Sequence, residues 1–511
     1  MLVKIFGGAV HGIDAITITI EVNILWGAKF VIVGLPDNAV KESQQRIDSA
    51  LREIGLKIPG KRVIINMAPA DVKKEGSAYD LPIGIGILAA NEQLPNADLE
   101  RYVIMGELSL DGSLQAVKGV LPIAIHAKKE GFKGIILPCQ NANEAAVVQD
   151  FEVYGFRHIS EVIAFLKKEK TFSPTKFDRT VMEQQPDNEL LDFKDVKGQE
   201  NVKRAMEIAA AGGHNMIMIG SPGSGKTMLA RRLPTILPPM TIEEALETTK
   251  IHSVAGKIQN NNSLITTRPF RSPHHTISNV ALVGGGASPQ PGEISLAHNG
   301  ILFMDELPEF QRSVLEVLRQ PLEDRMISIS RSKFSVEYPA NIMLIASMNP
   351  CPCGYYNHPT KECNCPPGAV QKYLSRISGP LLDRIDIHIE VVPVELDKIT
   401  STAESEPSAA IRSRVIAARE IQTARFRHHQ GIYCNAQMTS PLLKKYCSLD
   451  DKCTALLKIA MQRFGLSARA YDRIIKLSRT IADLDHSKEI KPEYIAEAIQ
   501  YRSLDREEWG G

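Results

Sequence analysis

The sequence predicts an α/β protein built in three parts: a mixed α/β domain, a doubly wound parallel sheet and a wholly helical region. Three observations lead to this prediction. Apolar and polar residues alternate near the start, apolar strand-like runs alternate with helices in the middle, and helical periodicity dominates the end. The 511 residues exceed the roughly 250–300 that one hydrophobic core supports, so several domains are expected.

The first part, residues 1–170, is predicted to mix strands and helices. Alternation over Ile16–Val22 indicates a strand with one buried face. A stretch rich in Ser, Pro, Asp and Gln at 171–190 then predicts a linker. The remaining predicted elements are strands at Phe30–Val33, Val63–Asn66 and Gly134–Leu137, and helices at Val40–Ile54 and Pro122–Lys129.

The second part, residues 191–395, alternates buried strands with helices, which is typical of a parallel sheet covered on both faces. The polar stretch Thr400–Ala410 separates it from the third part, residues 396–511. Apolar residues recur there at helical spacing over Arg412–Phe426 and Ala468–Asp483. The third part is therefore predicted to be helical throughout.

Composition excludes several classes of protein. The net charge of +1 produces no global field that attracts nucleic acid, so contact with DNA needs a local basic patch. No apolar run approaches the roughly 20 residues that span a bilayer, and no secretory signal is visible at the start. We expect a cytoplasmic protein with reduced cysteines and no membrane partner.

A phosphate-binding loop is the strongest motif in the chain. The apolar strand Met216–Ile219 leads directly into the pattern G-x-x-x-x-G-K-T at Gly220–Thr227. Glycines let backbone N–H groups approach phosphate oxygens, Lys226 supplies a positive charge, and the Thr227 hydroxyl can bind Mg²⁺. The residues predicted to bind the nucleotide here are Gly220, Ser221, Pro222, Gly223, Ser224, Gly225, Lys226, Thr227 and Met228.

Hydrolysis of a nucleotide requires acidic groups beside this loop. The apolar run Ile301–Met304 predicts a buried strand that ends in Asp305 and Glu306. Asp305 is predicted to bind Mg²⁺ and Glu306 to polarise the attacking water, because phosphoryl transfer depends mainly on positioning and charge stabilisation. The two motifs together predict an ATPase.

Four segments carry a resemblance to a known family: Gly220–Thr227, Ile301–Phe310, Ser347–Gly354 and Ile377–Asp386. They resemble the ComM/YifB family of magnesium-chelatase-like AAA+ ATPases, and the resemblance covers nearly the whole chain. It implies a Lon-protease-like first domain, an AAA+ core with a doubly wound parallel sheet, and a helical lid.

The resemblance also implies roles for single residues. Asn349, just beyond the predicted strand Asn341–Ala346, matches the sensor-1 residue beside the γ-phosphate. Arg384 matches the arginine finger, which acts on a neighbouring subunit's site and can contribute several kcal/mol to the barrier reduction. Arg469, after the candidate N-cap Ser467, matches the sensor-2 arginine, and Arg473 is the competing candidate. The residues that match the adenine-packing positions are Val196, Gly198 and Gln199.

Four cysteines within 15 residues predict a metal site. Cys351, Cys353, Cys363 and Cys365 form two C-x-C pairs in the insertion 351–365. Four thiolates suit tetrahedral Zn²⁺, and a bound metal can stabilise a segment with few apolar residues. Two alternatives remain: reduced cysteines without a metal, and His358 in place of one thiolate.

Two insertions are candidates for contact with a substrate of the motor. One lies within Thr266–Ala297, where the glycine- and proline-rich Gly284–Gly292 predicts a mobile loop without regular structure. The other, Met326–Pro339, predicts a β-hairpin around Arg331 and Lys333. In the family both insertions project towards the pore of a ring, where repeated cations can follow a phosphate backbone. A solvated hairpin tip is the alternative.

The first domain resembles the proteolytic domain of Lon through Gly106–Gly112 and Gly131–Pro138. Lon cuts peptides with a serine–lysine dyad. Here Ser77 lacks the surrounding residues of that nucleophile and Lys118 falls beside the expected lysine position, whereas a nucleophile needs its base in register. We expect the scaffold without peptidase activity.

The leading functional hypothesis is a DNA motor. The resemblance implies a homohexameric helicase that drives branch migration on single-stranded or branched DNA, with ATP, Mg²⁺ and structural Zn²⁺. The first alternative is a protein-remodelling or metal-chelatase-type ATPase, and the second is a Lon-like peptidase.

Overall fold

A computed structural model of the chain describes residues 2–74, 76–95, 98–177, 191–258, 264–286, 289–331, 334–358, 360–394, 405–429 and 431–502. It is an α/β fold with two large sheets and a helical region after the second sheet. Among the described residues, no helix combines the length and apolar character that a membrane span requires.

The first sheet has seven strands in the order β3-β4-β2-β1-β5-β8-β9. β1 and β2 form a long antiparallel hairpin, while β5, β8 and β9 run parallel. Ile18, Ile20 and Val22 are buried, as the alternation predicts. The strands are β1 Leu2–His11, β2 Asp14–Leu25, β3 Phe30–Val33, β4 Arg62–Ala68, β5 Tyr102–Ile104, β6 Glu107–Leu108, β7 Leu114–Gln115, β8 Gly134–Pro138 and β9 Glu152–Phe156.

Helices cover this sheet. The helix Asp80–Ala90 is buried at every residue, which explains why its sequence after Asp80 is continuously apolar. The helix predicted over Val40–Ile54 is instead two helices that meet at Glu42, which is the C-cap of the first and the N-cap of the second. The helices are α1 Asn38–Lys41, α2 Ser43–Glu53, α3 Asp80–Ala90, α4 Val120–Lys129, α5 Cys139–Ala145 and α6 Ile159–Leu166.

The second sheet is fully parallel, with the order β11-β14-β17-β10-β18. Its strands are short and buried, which explains their unbroken apolar sequences. The strands of this part are β10 Met216–Ile219, β11 Phe270–Arg271, β12 Gly284–Gly285, β13 Gln290–Pro291, β14 Ile301–Met304, β15 Met326–Arg331, β16 Phe334–Pro339, β17 Met343–Met348 and β18 Ile387–Glu390.

Helices lie along the chain between these strands, as a doubly wound sheet requires. The predicted strand Asn341–Ala346 begins two residues later and ends at Met348. The helices are α7 Glu200–Gly212, α8 Lys226–Arg232, α9 Ile242–Val254, α10 Asn279–Val283, α11 Glu293–Leu296, α12 Arg312–Val317, α13 Arg319–Asp324, α14 Ala369–Leu374 and α15 Gly379–Leu382.

The last part is helical and shares one hydrophobic core with α7 and the sheet. Buried Asp483 binds Arg425 and Arg479 through its carboxylate, which joins two of the helices by ion pairs. Ser467 Oγ accepts a hydrogen bond from Ala470 N at 3.2 Å, so the predicted N-cap is confirmed. The helices are α16 Ser408–Phe426, α17 Ser440–Tyr446, α18 Asp451–Arg463, α19 Ala468–Leu484 and α20 Pro492–Gln500. Among the described residues, 3₁₀ turns lie at Leu99–Arg101, Phe193–Asp195, Leu233–Ile236, Leu307–Glu309 and Asn435–Gln437.

The first domain is docked on the second through α4 and α9. Leu121 packs in an apolar cluster with Met240 and Ala245. Buried Glu144 accepts a hydrogen bond from the Ser253 hydroxyl at the end of α9, and Ser253 O accepts one from Gly119 N at 3.1 Å. Apolar packing and buried hydrogen bonds therefore both hold the two domains together.

Candidate functional site

The phosphate-binding loop joins β10 to α8 at the carboxyl edge of the parallel sheet. Gly223 (φ 80°) and Gly225 (φ 94°) lie in the left-handed region that favours glycine. A Cβ on Gly220 would lie 2.3 Å from the carbonyl oxygen of Val391. The loop therefore favours glycine at the two positions that the motif specifies, Gly220 and Gly225, and also at Gly223.

Lys226 is the first residue of α8, and its ammonium group bridges the loop. Its Nζ donates to the carbonyls of Gly220 at 2.6 Å and Ser221 at 2.9 Å. The same atom lies 3.4 Å from Asn349 Oδ1. Burial lowers the pKa of Lys226, while two nearby carboxylates oppose this shift. No carboxylate forms an ion pair with this ammonium among the described residues, so it is available to a phosphate.

The acidic residues follow β14, two strands away from β10. Asp305 Oδ2 accepts a hydrogen bond from Thr227 Oγ1 at 2.9 Å, and Asp305 Oδ1 accepts one from the Ser347 hydroxyl. Glu306 has φ 54°, and its N–H donates to Ser347 Oγ at 3.2 Å. Ser347 thus orients both acidic residues. Ser347 was not predicted as a site residue, although it is the one polar residue in the otherwise apolar β17.

The predicted catalytic residues of the core converge at one edge of the sheet. Lys226, Asp305 and Asn349 follow β10, β14 and β17, which are adjacent parallel strands. The donor set fits a nucleoside triphosphate with Mg²⁺, because a lysine, a threonine hydroxyl and a carboxylate lie together. The buried Ser221 Oγ has no hydrogen-bond partner among the described residues, and a phosphate oxygen could supply one.

The predicted adenine-packing residues lie just before α7. Val196 is buried, and Gly198 and Gln199 both have φ 62°. The Gln199 side chain donates to the carbonyl of Val392, the neighbour of the residue that packs on Gly220. This segment therefore borders the phosphate-binding loop, and its role in packing adenine stays a prediction.

Arg384 and Arg469 meet on one acidic side chain, Glu323. Arg384 Nη2 lies 2.6 Å from Glu323 Oε2, and Arg469 Nη2 lies 3.9 Å from Glu323 Oε1. Arg384 is 4% exposed and its buried Nε has no hydrogen-bond partner among the described residues. It precedes β18, so it lies at the amino edge of the sheet, opposite the phosphate-binding loop of its own chain.

Arg473, the competing sensor-2 candidate, has a different surrounding. Its Nη1 lies 2.8 Å from Oδ1 of the buried Asp386. Burial opposes ionisation of Asp386, but Arg473 and His214 hold the pKa of this carboxyl below its ordinary value. Arg473 therefore has a buried partner, whereas the Arg469 side chain is 56% exposed.

The four predicted metal ligands come together in one cluster. Sγ atoms of Cys351, Cys353, Cys363 and Cys365 all lie within 4.8 Å of one another. The Sγ–Sγ distances from Cys363 are 3.7 Å to Cys351 and 3.5 Å to Cys353, close to the about 3.8 Å that a tetrahedron with 2.3 Å Zn–S bonds requires. No disulfide links them. Four thiols at this spacing fit Zn²⁺.

The cysteine cluster contacts the nucleotide site through Gly354. This residue has φ 85°, and a Cβ on it would lie 2.5 Å from Cδ of Pro222 in the phosphate-binding loop. Cys351 accepts a hydrogen bond from Tyr356 N at 3.3 Å, which fixes the same turn. The insertion therefore packs directly on the loop that is predicted to bind phosphate.

The predicted hairpin is present. Its strands β15 and β16 pair antiparallel, from Met326 opposite Pro339 to Arg331 opposite Phe334. Arg331 is the last residue of β15, and Lys333 lies outside the described residues. Two residues after Phe334, a Cβ on Gly12 of the first domain would lie 2.8 Å from the Val336 side chain. The turn between β1 and β2 therefore packs on this hairpin.

The expectation that Gly284–Gly292 has no regular structure is wrong for the described residues. β12 pairs with β13, and α10 and α11 flank them. The pairing depends on glycine, because Gly284 has φ 106° and a Cβ there would lie 2.4 Å from the carbonyl of Gln290. Glycine content alone predicted a loop, whereas close approach of two backbones is what the glycines permit.

Ser77 and Lys118 have separate partners. The Ser77 hydroxyl donates to Glu107. The Lys118 side chain packs on Gly256, and a Cβ added to that glycine would lie 2.6 Å from Lys118 Cε. A different lysine, Lys74, is fully buried and donates to the carbonyl of Pro69, and burial lowers its pKa. Ser77 and Lys118 therefore contact different groups, and the absence of peptidase activity stays a prediction.

Comparison with known proteins covers all three parts of the chain. The family model described as magnesium chelatase, subunit ChlI, matches residues 192–399. Models described as subunit ChlI of Mg-chelatase and as the ChlI C-terminal region match residues 20–141 and 405–502. Competence protein ComM of Haemophilus influenzae is 44% identical over 508 residues, which are 99% of this chain and 98% of that protein.

The chain belongs to the ComM/YifB family of magnesium-chelatase-like AAA+ proteins. YifB of Escherichia coli is 43% identical over 503 residues, 98% of this chain and 96% of that protein. Lon protease 2 of Bacillus subtilis is 29% identical over 159 residues, which are 28% of this chain and 27% of that protein. Family membership indicates an ATPase that uses ATP and Mg²⁺, in agreement with the site described above.

Proposed function

We propose that the protein is an ATP-driven, ring-forming DNA motor that moves branched DNA and aids its integration during transformation or recombination. The observation that carries the ATPase part is the convergence of Lys226, Thr227, Asp305, Glu306 and Asn349 beyond adjacent strands. The DNA part is supported by similarity over almost the full length to a protein named for competence. We propose a cytoplasmic setting and a structural Zn²⁺ at the four cysteines.

Each residue of the core then has a defined task. Lys226 contacts the β- and γ-phosphates, and Thr227 and Asp305 hold Mg²⁺, which neutralises charge on the phosphates when bound. Glu306 orients water against the γ-phosphate while Ser347 holds its backbone. Asn349, which already contacts Lys226 Nζ, reports whether the γ-phosphate is present.

The position of Arg384 supports a ring. This guanidinium lies at the amino edge of the sheet, remote from the phosphate-binding loop that follows the carboxyl end of β10. An arginine finger in this place can serve only another subunit's nucleotide, and Arg469 on the same glutamate is suited to act with it. We propose six subunits, each completing the ATP site of its neighbour.

The decisive experiment measures ATP hydrolysis by the full chain without DNA, with single-stranded DNA and with a four-way junction. We expect the junction to stimulate hydrolysis and its arms to migrate only with hydrolysable ATP. Stimulation should fall with increasing salt, because phosphate contacts release counterions. Glu306→Gln removes the carboxylate that orients water and leaves the other residues of the nucleotide site in place. This variant is the control for migration without hydrolysis.

The hairpin variant Arg331→Ala with Lys333→Ala tests where DNA is contacted. It should lose stimulation by DNA, whereas Ser335→Ala on the facing strand should keep it. No binding and no stimulation at low salt would contradict the DNA motor. A protein-remodelling or chelatase-type ATPase would then be favoured, since the three family models are all those of magnesium chelatase.

A further inference from the structure

A second polar cavity lies between the AAA+ core and the helical region, on the opposite edge of the sheet from the ATP site. Asn215, Asn341 and Asp386, which line it, precede β10, β17 and β18. The phosphate-binding loop follows the other end of β10. The cavity is therefore distinct from the nucleotide site of the same chain.

Four arginines line this cavity, and only two of them have acidic partners. Arg268 forms a bidentate pair with Glu244, with distances of 3.1 and 2.8 Å. Arg473 is paired with Asp386. These two pairs are internally neutral, so they leave the charge of the remaining two arginines uncompensated.

Among the described residues, Arg325 and Arg419 contact carbonyl groups, and Arg419 also contacts the Cys434 thiol, but neither has a carboxylate partner. Arg325 Nη1 donates to Gly431 O at 3.2 Å, and Arg419 Nη2 donates to Ala210 O at 2.8 Å. Arg419 Nε is buried and has no hydrogen-bond partner among the described residues. Neither guanidinium lies within ion-pair distance of a carboxylate in the described part of the chain. Holding two partly buried cations without counter-charges is unfavourable, so this arrangement points to an anion that is supplied from outside.

The surrounding groups add to the positive potential. Lys476, near the same cavity, donates to Ala436 O at 3.0 Å. Burial and the charge of Arg473 lower its pKa to about 8. Burial also lowers the pKa values of Arg325 and Arg419. Each shift has the direction expected where cations lack a neutralising anion.

The size of the cavity selects the class of anion. Its volume is about 90 Å³, well below the roughly 300 Å³ at which sites for larger organic ligands begin. Guanidinium groups bind tetrahedral oxyanions through paired N–H groups. We propose that the cavity binds a small multivalent oxyanion, phosphate or pyrophosphate, between Arg325 of the core and Arg419 of the helical region.

Such an anion would join the AAA+ core to the helical region through ion pairs. Arg325 follows α13 of the core, and Arg419 belongs to α16. A dianion between them would attract both guanidinium groups. Phosphate is also a product of the ATPase activity that the family indicates, so the site can respond to turnover, although its existence does not depend on the proposed DNA motor.

The test uses the full chain with Lys226→Ala, which removes phosphate binding at the ATP site. Isothermal titration and the melting temperature are measured with inorganic phosphate and pyrophosphate, at ionic strength held constant with chloride. We expect saturable binding and a rise in melting temperature that chloride does not produce. Equal shifts with phosphate and chloride would overturn the proposal.

Arg325→Gln and Arg419→Gln in this background test the two residues. Each should weaken phosphate binding about tenfold or more, the effect of losing one charge-assisted hydrogen bond. Arg427→Gln, just beyond the end of α16, removes the same charge outside the cavity and should leave binding unchanged. Arg419→Lys should restore part of the affinity. A variant that melts earlier but binds phosphate as before would show a purely structural arginine and contradict the site.

The source of the phosphate group is distinguished by protein concentration. A site within one chain binds free phosphate equally below and above the concentration at which rings assemble. Binding that appears only in assembled protein would assign the cavity to a neighbour's phosphate or acidic segment, and would overturn a site for the free anion.

Discussion

The first domain and the AAA+ core each contain a lysine and a hydroxyl residue that were considered for a catalytic site, but the two pairs have different surroundings. In the core, Lys226 and Thr227 meet Asn349 and Asp305 at hydrogen-bond distance. In the first domain, the Ser77 hydroxyl is bound to Glu107, and the Lys118 side chain lies against the neighbouring domain.

The difference follows from what each lysine contacts. Lys226 is held by the loop's own carbonyls, so phosphate can compete for it. The Lys118 stem instead packs on Gly256, close to the hydrogen bond between Gly119 and Ser253. The segment that would have to supply a catalytic base is used to dock the AAA+ core. In this structure the first domain therefore contacts the AAA+ core through the segment around Lys118.

The largest expected effect is that of changing Arg384, which lies far from the nucleotide site of its own chain. Arg384→Ala should reduce ATP hydrolysis by about 10³-fold, the lower end of the range for arginine fingers. Mixing this variant with Glu306→Gln should restore activity, because mixed interfaces combine an intact loop with an intact arginine. Steady-state phosphate release measures both. Failure of the mixture to exceed either variant alone would contradict action between subunits.

Lys226→Ala should reduce hydrolysis by about 10²-fold or more, because one preorganised charge beside the transferred phosphate is lost. The measurement is phosphate release at saturating ATP, with nucleotide binding measured separately. Lys118→Ala is the matched lysine in the first domain, and its rate should stay within about twofold of the parent. A similar loss in both variants would show that the first domain takes part in the chemistry.

Loss of the cysteine cluster should weaken ATP binding by a smaller factor. Cys363→Ser removes one metal ligand, and Gly354→Ala places a Cβ against Pro222 at a residue with φ 85°. Each should raise the KM for ATP several-fold, up to about tenfold, because about 1.4 kcal/mol of strain in the loop corresponds to a factor of ten. Cys139→Ser, outside the cluster, is the control. Metal analysis should find one zinc per parent chain. An unchanged KM for ATP in a zinc-free variant would show that the cluster does not affect nucleotide binding.

The smallest expected effect is that of Ser77→Ala. Its hydroxyl makes one partly buried hydrogen bond to Glu107, so the melting temperature should fall by only the few degrees that about 1 kcal/mol represents. ATP hydrolysis should be unchanged within about twofold. A peptidase activity that is present in the parent and absent from this variant would reverse our interpretation of the first domain.

The sequence was most informative where short segments have a single structural solution. The strands Met216–Ile219 and Ile301–Met304 and the hairpin Met326–Pro339 were predicted at the bounds that the fold has. Predictions failed where backbone packing decides. Gly284 and Gly285 pair with Pro291 and Gln290 in a ladder that composition cannot indicate. The helix expected over Val40–Ile54 is interrupted at Glu42.

Sequence alone determined which residues can bind phosphate, hold Mg²⁺ and coordinate zinc, because each of these motifs is local and its chemistry depends on residue type. Tertiary structure decided which of them act together. Ser347 contacts both acidic residues, and Gly354 beside the cysteine cluster packs against the phosphate-binding loop. Arg384 and Arg469 lie together at the opposite edge of the sheet. The tertiary structure also brought Arg325 and Arg419, 94 positions apart in the chain, to one cavity. Contacts of this kind depend on how elements pack across the sheet, and no local pattern encodes them.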